Sequence, residues 1–316
     1  MVSDIFSMPG QFYRGNLHTH SNVSDGALDP IEVCKKYQAA GYDFIALTDH
    51  FIGLFDYPIT DTTSLRNEAF TTLLGAELHS GAMENGELWH ILAVGLPSDF
   101  APPNAPDFYA RADQETGAEI AQRAREAGAF VAVAHPEWSA MTTADAAGIE
   151  AAHAVEIYNH GCHVECDRGR GFYTLDQLLS QRRRLTLCAT DDAHFHVADH
   201  FGGWVMVKAE ANEPDALLAA LKAGHFYSST GPEIRTVTWE QNQVVVETSP
   251  VSSVIVQAQG SATSAVLGED LTRTVVPYGR CATSPWLRST VMDKAGKCSW
   301  LNPVYRDETW QPSSHV

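Results

Sequence analysis

Basic residues are scarce in this chain. Its 316 residues carry 21 Lys and Arg against 39 Asp and Glu, a formal net charge of −18. So acidic a surface repels polyanions, which argues against a nucleic-acid polymer or an anionic membrane as partner. The short basic run Arg182, Arg183 and Arg184 reads as the exposed C-terminal end of a helix. Cysteine is sparse too: Cys34, Cys162, Cys166, Cys188, Cys281 and Cys298 are scattered and suggest no disulfide framework. No apolar run approaches the ~18 residues of a membrane-spanning helix. The opening MVSDIFSMPGQFYRG lacks a basic segment leading into an apolar one, so the expectation is a cytoplasmic protein. Internal repeats, low-complexity tracts, a Gly-rich phosphate loop and a Ser-His-Asp arrangement are also missing.

Apolar residues are not short: 44% of the chain is hydrophobic and 19% charged, enough for a sizeable core rather than disorder. From about residue 12 to 231, strand and helix patterns alternate. Residues 11–21 read as a strand, followed by a helix that Asp29 caps, Pro30 opens and Gly41 stops. The runs YDFIALTDH, TLLGAELHS, WHILAVGL, AFVAVAHP, HAVEIYN, LTLCATDDAH and GGWVMVKA follow, with helices expected over 112–127 and 215–223. Near-continuous apolar strands between helices predict a parallel sheet covered on both faces. Two irregular stretches, 51–68 and 97–107, follow strand ends, where a lid or substrate wall would lie. After Gly231-Pro232 the texture changes to IRTVTWE, QVVVETS and SSVIVQAQ, predicting a small antiparallel sandwich with a hairpin at Gln241-Asn242. The expected division is therefore 1–231 and 232–316.

Nine residues stand at or near the ends of these runs: His18, His20, Asp25, His50, Glu77, His90, His135, Asp192 and His194. One strand-end histidine is usually a capping or solvent-facing residue. Nine imidazoles and carboxylates on strands that a barrel would converge form the donor set of a cluster of divalent metals. Strand alternation gives His18 and His20 one face, and puts Asp192 on the face of His194 with Asp191 opposite, unless a bulge exchanges the two acids.

The ordered segments HTHSNVSDG, LTDH, GAELHS, HILAVG, AHP and ATDDAH resemble the successive motifs of the PHP (polymerase and histidinol phosphatase) domain over residues 16–194. FGGWVMVKAE followed by ALKAGHFYSSTGPEI is more loosely similar to the CehA/McbA-type metallohydrolases. The resemblance implies a distorted (β/α)7 barrel with two or three divalent metals, zinc, manganese or iron. It implies one metal on His18, His20, Glu77 and Asp192, a second shared by Glu77 with His90 and His135, and a third on Asp25, His50 and His194. It also implies a metal-dependent hydrolase, first a phosphoesterase acting on a small phosphorylated metabolite or nucleotide through a hydroxide held between metals. Asp192 or His194 would move the proton. The alternatives are a carbamate or carboxylic ester hydrolase, with an apolar pocket from Phe51, Leu54, Phe55 and Tyr57, and a non-catalytic module that uses metals for stability or partner binding.

Around this set, Arg168 and Arg170 are expected to hold an anionic substrate, with His79 and Asn159 on the substrate wall beside Glu156. His79, on the same strand face as Glu77, could also extend the metal shell or donate a proton, or equally orient Glu77, and Asp49 is expected to orient a histidine. His160, Cys162, His163 and Cys166 crowd one loop; a closed zinc site usually draws on two separated pairs, so reduced thiols in an ordinary loop are the simpler reading. His196 and His200 read as surface histidines.

Overall fold

The computed structural model describes residues 5–109, 111 and 115–306. Its strands are β1 (Gln11–Asn16), β2 (Phe44–Leu47), β3 (His50–Phe51), β4 (Thr71–Leu78), β5 (Ile91–Val94), β6 (Phe130–Val133), β7 (Ala154–Asn159), β8 (Thr186–Thr190), β9 (Trp204–Ala209) and β10 (Phe226–Ser229). Six more follow: β11 (Ile234–Trp239), β12 (Gln243–Ala258), β13 (Thr263–Pro277), β14 (Trp286–Met292), β15 (Cys298–Leu301) and β16 (Val304–Tyr305). One pairing path runs β11-β12-β14-β15-β10-β9-β1-β2-β4-β5-β6-β7-β8, giving a mixed α/β fold built on a large sheet.

Local chemistry explains the helices. Asp29 caps the helix Pro30–Ala39 by accepting from the Glu32 N–H at 2.9 Å, and Gly41 follows with φ of 80°. Thr116 and Glu119 form a reciprocal capping box on Gly117–Glu126. Gly224, at φ of 75°, ends Pro214–Ala223.

Alternation along the strands separates two apolar layers. Ile91 and Ala93 of β5, and Val131 and Val133 of β6, pack with Ile120, Leu175 and Leu178 from helices on one face. Leu92, Val94, Phe130 and Ala132 pack with Leu217, Leu221 and Phe226 on the other. This is why the runs look continuously apolar: both faces are covered.

The expected all-parallel sheet is not what forms. β1–β2, β2–β4, β6–β7 and β7–β8 are parallel, but β4–β5, β5–β6, β1–β9 and β9–β10 are antiparallel. Residues 79–90 make no helical crossover; they turn through Met83 and Gly86, with the Met83 N–H donating to the Glu87 carbonyl at 2.8 Å, so β5 returns beside β4. His90 at the entrance of β5 thereby meets Glu77 near the exit of β4. Between β1 and β8 there is no ladder. The residues just beyond them are joined by a parallel bridge, Thr19 to Ala193, with the Asp192 N–H donating to the His18 carbonyl at 2.8 Å.

Strands β11–β16 pair antiparallel around Trp239, Val246, Val256 and Tyr278, and the β11–β12 hairpin turns at the expected Gln241-Asn242. They back the site-bearing strands through β15–β10 pairing and through Arg288, whose guanidinium makes two 2.8 Å bonds to Asp176. Trp286 and Trp300 join the apolar layer behind β7 and β8.

Candidate metal centre

Each donor enters the site from a strand end or the turn just beyond it. Glu77 lies in β4 between buried Ala76 and Leu78, so alternation turns it to the opposite face. Its Oε1 is 2.8 Å from His90 Nδ1 and 2.9 Å from His135 Nε2. Its Oε2 is 2.7 Å from His50 Nδ1 and 3.6 Å from Nε2 of both His18 and His20. Asp192 Oδ1 lies 2.9 Å from His20 Nε2 and 3.1 Å from His18 Nε2. Asp25 stands at the open edge, 3.3 Å from His50 Nε2 and 3.4 Å from His194 Nε2. All nine sequence-selected donors therefore meet.

Ligand atoms within 4.8 Å of one another form three overlapping sets: His18, His20, Glu77 and Asp192; His20, Asp25, His50 and His194; and His50, Glu77, His79 and His90. The donor set fits metal cations on a further observation. His18 Nε2, His20 Nδ1 and Glu77 Oε2 are buried and, although charged neighbours stand 2.7–4.0 Å away, none of the three makes a hydrogen bond of good geometry. A buried polar atom without a partner is destabilising by about 1–3 kcal/mol. His18 Nε2 and Glu77 Oε2 face each other at 3.6 Å, while His20 Nδ1, on the opposite side of its ring from the Nε2 that meets Asp192, looks toward Asp25 at 4.0 Å; atoms so placed have the chemistry of ligands.

Electrostatics keep the acids ionised. Burial pushes the Glu77 carboxyl up, but His90, His50 and His18 outweigh it and hold the group well below the carboxylate range. Asp192 is likewise held low, against burial, by His18 and His20. Burial works against protonating His50, yet Glu77 and Asp25 raise it to about 10; His194 is raised to about 9 against burial by Asp25 and Asp192.

Asp192 reaches the cluster by a route different from simple strand alternation. β8 ends at Thr190, and Asp192 takes a left-handed φ of 54°. That conformation is unfavourable by roughly 1–2 kcal/mol for a residue with a Cβ. Asp191 points away and accepts from the Tyr37 hydroxyl at 2.7 Å and from the backbone N–H groups of Phe201, Gly202 and Gly203 at 2.8–2.9 Å.

A supporting layer fixes the donors. Glu156, buried in β7, lies 3.0 Å from His18 Nδ1 and accepts from the His135 N–H at 2.7 Å and from the Thr190 hydroxyl. Holding Nδ1 leaves His18 Nε2 to face the cluster. Asn159 Nδ2 donates to Glu156 and to Asp192 Oδ2, both at 2.9 Å, and its carbonyl oxygen accepts from the Cys162 N–H.

Several expectations change here. Glu156 and Asn159 are buried braces of the ligands rather than a substrate wall, because both ends of each side chain are engaged. Of the readings open for His79, the structure favours the one in which it extends the cluster: it is fully buried, its Nδ1–H donates to the Trp89 carbonyl at 3.0 Å and its Nε2 faces His50 Nδ1 at 2.8 Å. Arg168 and Arg170 are exposed, and among the described residues neither forms an ion pair with the cluster. The Arg170 backbone N–H donates to Glu137 instead. Asp49 orients no histidine: it accepts from the Ser21 N–H and from the hydroxyls of Ser21, Ser24 and Thr60, shaping the turn that carries Asp25. Phe51 belongs to the core, whereas Phe55 lies 6.3 Å from the His50 ring. His160 pairs with the Tyr158 hydroxyl and Cys166 is exposed, so the His/Cys group of that segment does not gather around a common point. Sequence reasoning missed Phe108 and Trp138, whose rings stand edge-on to His50 and to His135; both lie in irregular loops where no periodicity marks a ring's direction.

Comparison with known proteins adds three findings. The family model described as "PHP domain" matches residues 16–197. No curated protein matches the chain. Among solved structures, a two-domain protein from Bacteroides vulgatus ATCC 8482, containing a predicted PHP-like metal-dependent phosphoesterase, is 16% identical. Coverage is 91% of this chain and 93% of that one, with a TM-score of 0.51, so the likeness is one of fold. A candidate metal-dependent phosphoesterase from Bifidobacterium adolescentis ATCC 15703 and an amidohydrolase from Chromobacterium violaceum, solved with sulfate and no metal, are each 15% identical. Each covers 57% of this chain and 87% of its own, at a TM-score of 0.41.

Proposed function

Because this chain belongs to the PHP domain family, with the match spanning residues 16–197, we propose that it is a metal-dependent hydrolase cleaving an ester bond of a small molecule. The buried His18 Nε2 and Glu77 Oε2, 3.6 Å apart beside Asp192 and making no hydrogen bond, with His20 Nδ1 turned to Asp25 in the same condition, are the observation that carries this reading. His18, His20, Glu77 and Asp192 would hold one cation, Glu77, His90 and His135 a second, and Asp25, His50 and His194 a third. When bound, such cations lower the pKa of water from 15.7 toward about 7 and offset charge developing on the ester oxygens.

The chain's own groups supply the rest. Asp192 Oδ1 faces the two histidines, while its Oδ2 accepts from Asn159 Nδ2 at 2.9 Å and keeps a second lone pair that could take a proton. His194 has less freedom, since its Nδ1 lies 3.0 Å from the Asp192 carbonyl and its Nε2 faces Asp25. Glu156 and Asn159 hold His18 and Asp192 in register, so little reorganisation is needed at the moment of reaction. The parallel bridge between the β1 and β8 exits supports a distorted (β/α)7 barrel as the frame, with residues 1–231 as the hydrolytic unit and 232–316 as a small β unit behind it.

A phosphoester is the leading substrate class, given a cluster suited to binding several anionic oxygens. A carboxylic or carbamic ester, as in the CehA/McbA-like reading, is favoured by one observation: no arginine or lysine among the described residues pairs with the cluster carboxylates. Turnover of p-nitrophenyl phosphate and of a naphthyl carbamate by manganese-, zinc- and iron-loaded protein separates the two. Inactivity on both with every metal, together with equal inactivity of His18→Ala, would instead leave a module that uses metal for stability alone.

A further inference from the structure

The donors at the open edge of the cluster are carried differently from those inside it. His18, His20, Glu77 and Asp192 are buried at the strand exits, whereas the side chains of Asp25 and His194 are 40% and 23% exposed and sit on two surface turns. The second turn is tied to the β1 exit at Ala193, whose carbonyl accepts from the His20 N–H at 2.9 Å. Beyond Ala193 the chain leaves the rim, and His194 needs a support of its own.

Asp199 supplies that support. It is fully buried; its Oδ2 accepts from the His194 N–H at 2.7 Å, and both its oxygens lie 3.1 Å from the Phe195 N–H. His200 Nδ1 stands 3.4 Å from Oδ1. A carboxylate taken out of water is destabilising unless its lone pairs are engaged, and here backbone N–H groups at a metal donor engage them. The same bonds oppose strain. Phe195 has φ of 62° and Phe201 φ of 64°, left-handed values that a bulky residue avoids. Asp199 fixes the first of these through the Phe195 N–H, and Asp191 fixes the second through the N–H groups of Phe201, Gly202 and Gly203. Without the Asp199 carboxylate, Phe195 can return to an ordinary φ, and the peptide it shares with His194 turns with it.

The two surface turns are clasped to each other. The Ala27 N–H donates to the His194 carbonyl at 2.7 Å, and His196 Nε2–H donates to the Asp25 carbonyl at 2.8 Å. Releasing His194 therefore loosens Asp25 as well. The inner donors have separate supports: Glu156 and Asn159 of β7 hold His18, His135 and Asp192, and Glu77 is fixed within β4.

We propose that Asp199 is a positioning residue: by holding His194, and Asp25 through the clasp, it decides whether the cluster keeps an ion at its open edge beside those inside. This deepens the hydrolytic reading and rests on the cluster holding metal.

The test titrates the full chain, stripped by chelator, with cobalt(II), following visible absorption and the affinity of each class of ion by competition. In wild type the most weakly held class should be the one that His194→Ala removes. Asp199→Ala should weaken that class at least about 10-fold, and Asp199→Asn, which keeps one acceptor oxygen, by less, with the inner ions within about 3-fold of wild type. Added to His194→Ala, Asp199→Ala should change nothing further, because it acts through that histidine. Arg288→Ala, which loosens the fold away from the cluster, should leave every class in place. Circular dichroism reports folding, and Asp199→Asn carries the comparison if Asp199→Ala does not fold. Equal weakening of all classes, no weakening of any, a further loss on top of His194→Ala, or wild-type ions that His194→Ala leaves untouched overturns the positioning role and leaves the hydrolytic reading standing. Wild-type protein that binds no cobalt overturns both.

Discussion

Replacing Glu77 by glutamine exchanges one oxygen for an amide nitrogen at the point where two candidate ligand sets share a carboxylate. The change is nearly isosteric, so the apolar layer around Ala76 and Leu78 is untouched. Its effect is electrostatic. In the wild type, Oε1 serves His90 and His135 while Oε2 faces His50, His18 and His20. Glutamine keeps one acceptor and aims N–H donors at the other side. Losing one charge-assisted contact amounts to about 1.5–3 kcal/mol, or roughly 10- to 150-fold in metal affinity. Because Glu77 enters two of the three sets, the loss applies to more than one ion. At a metal concentration 100 times the wild-type Kd, binding stabilises the fold by about 2.7 kcal/mol, and a 100-fold weaker Kd leaves only about 0.4 kcal/mol. Thermal scans with and without added manganese should therefore show a metal-dependent rise of several degrees in wild type that largely vanishes in Glu77→Gln. At the same metal concentration each weakened ion is about half bound, so ester hydrolysis should fall about 2- to 4-fold from lost occupancy and recover as metal is raised. Wild-type metal content and turnover in Glu77→Gln would refute the shared-carboxylate reasoning.

Three further outcomes follow from the same geometry. Glu156→Gln keeps the shape but removes the charge that fixes His18 Nδ1; metal affinity by competitive chelation should weaken about 10- to 100-fold with little change in fold. Arg288→Ala breaks two bonds to Asp176 and should lower stability by about 1.5–3 kcal/mol in denaturant titration, leaving metal stoichiometry intact. His153 is held down to about 4, first by burial and then by Arg125 and Lys222, and its Nδ1 accepts from the Val131 N–H. The unfolded chain therefore protonates this histidine before the folded one does. Its contribution is whole above about pH 6.5, is lost as pH falls toward 4, and is level below that. Solvent screening limits the amount to about 1 kcal/mol, measured as a shallower acid slope in His153→Gln than in wild type.

The donors were legible in the sequence because strand periodicity is local: a histidine or acid closing an apolar run lies on a predictable rim whatever its neighbours do. Strand direction was not legible. Nothing in YDFIALTDH, TLLGAELHS or WHILAVGL says that β4 and β5 are antiparallel, since the turn over residues 79–90 looks like any polar loop. Glu156 carried a readable signal, a lone acid inside the apolar run HAVEIYN, but only three-dimensional pairing shows that it braces His18 instead of facing a substrate. Phe108 and Trp138 left no signal of direction, for loop side chains are aimed by long-range contacts such as the bond from the Gly53 N–H to the Ala105 carbonyl.

Metal content of protein purified without chelator tests the central claim most directly. Three overlapping ligand sets predict about two to three equivalents of a divalent transition metal per chain, retained through dialysis and reduced in His18→Ala and Asp192→Asn. Protein that stays well below about one equivalent after incubation with zinc, manganese and iron in turn, yet folds and melts as before, would contradict it.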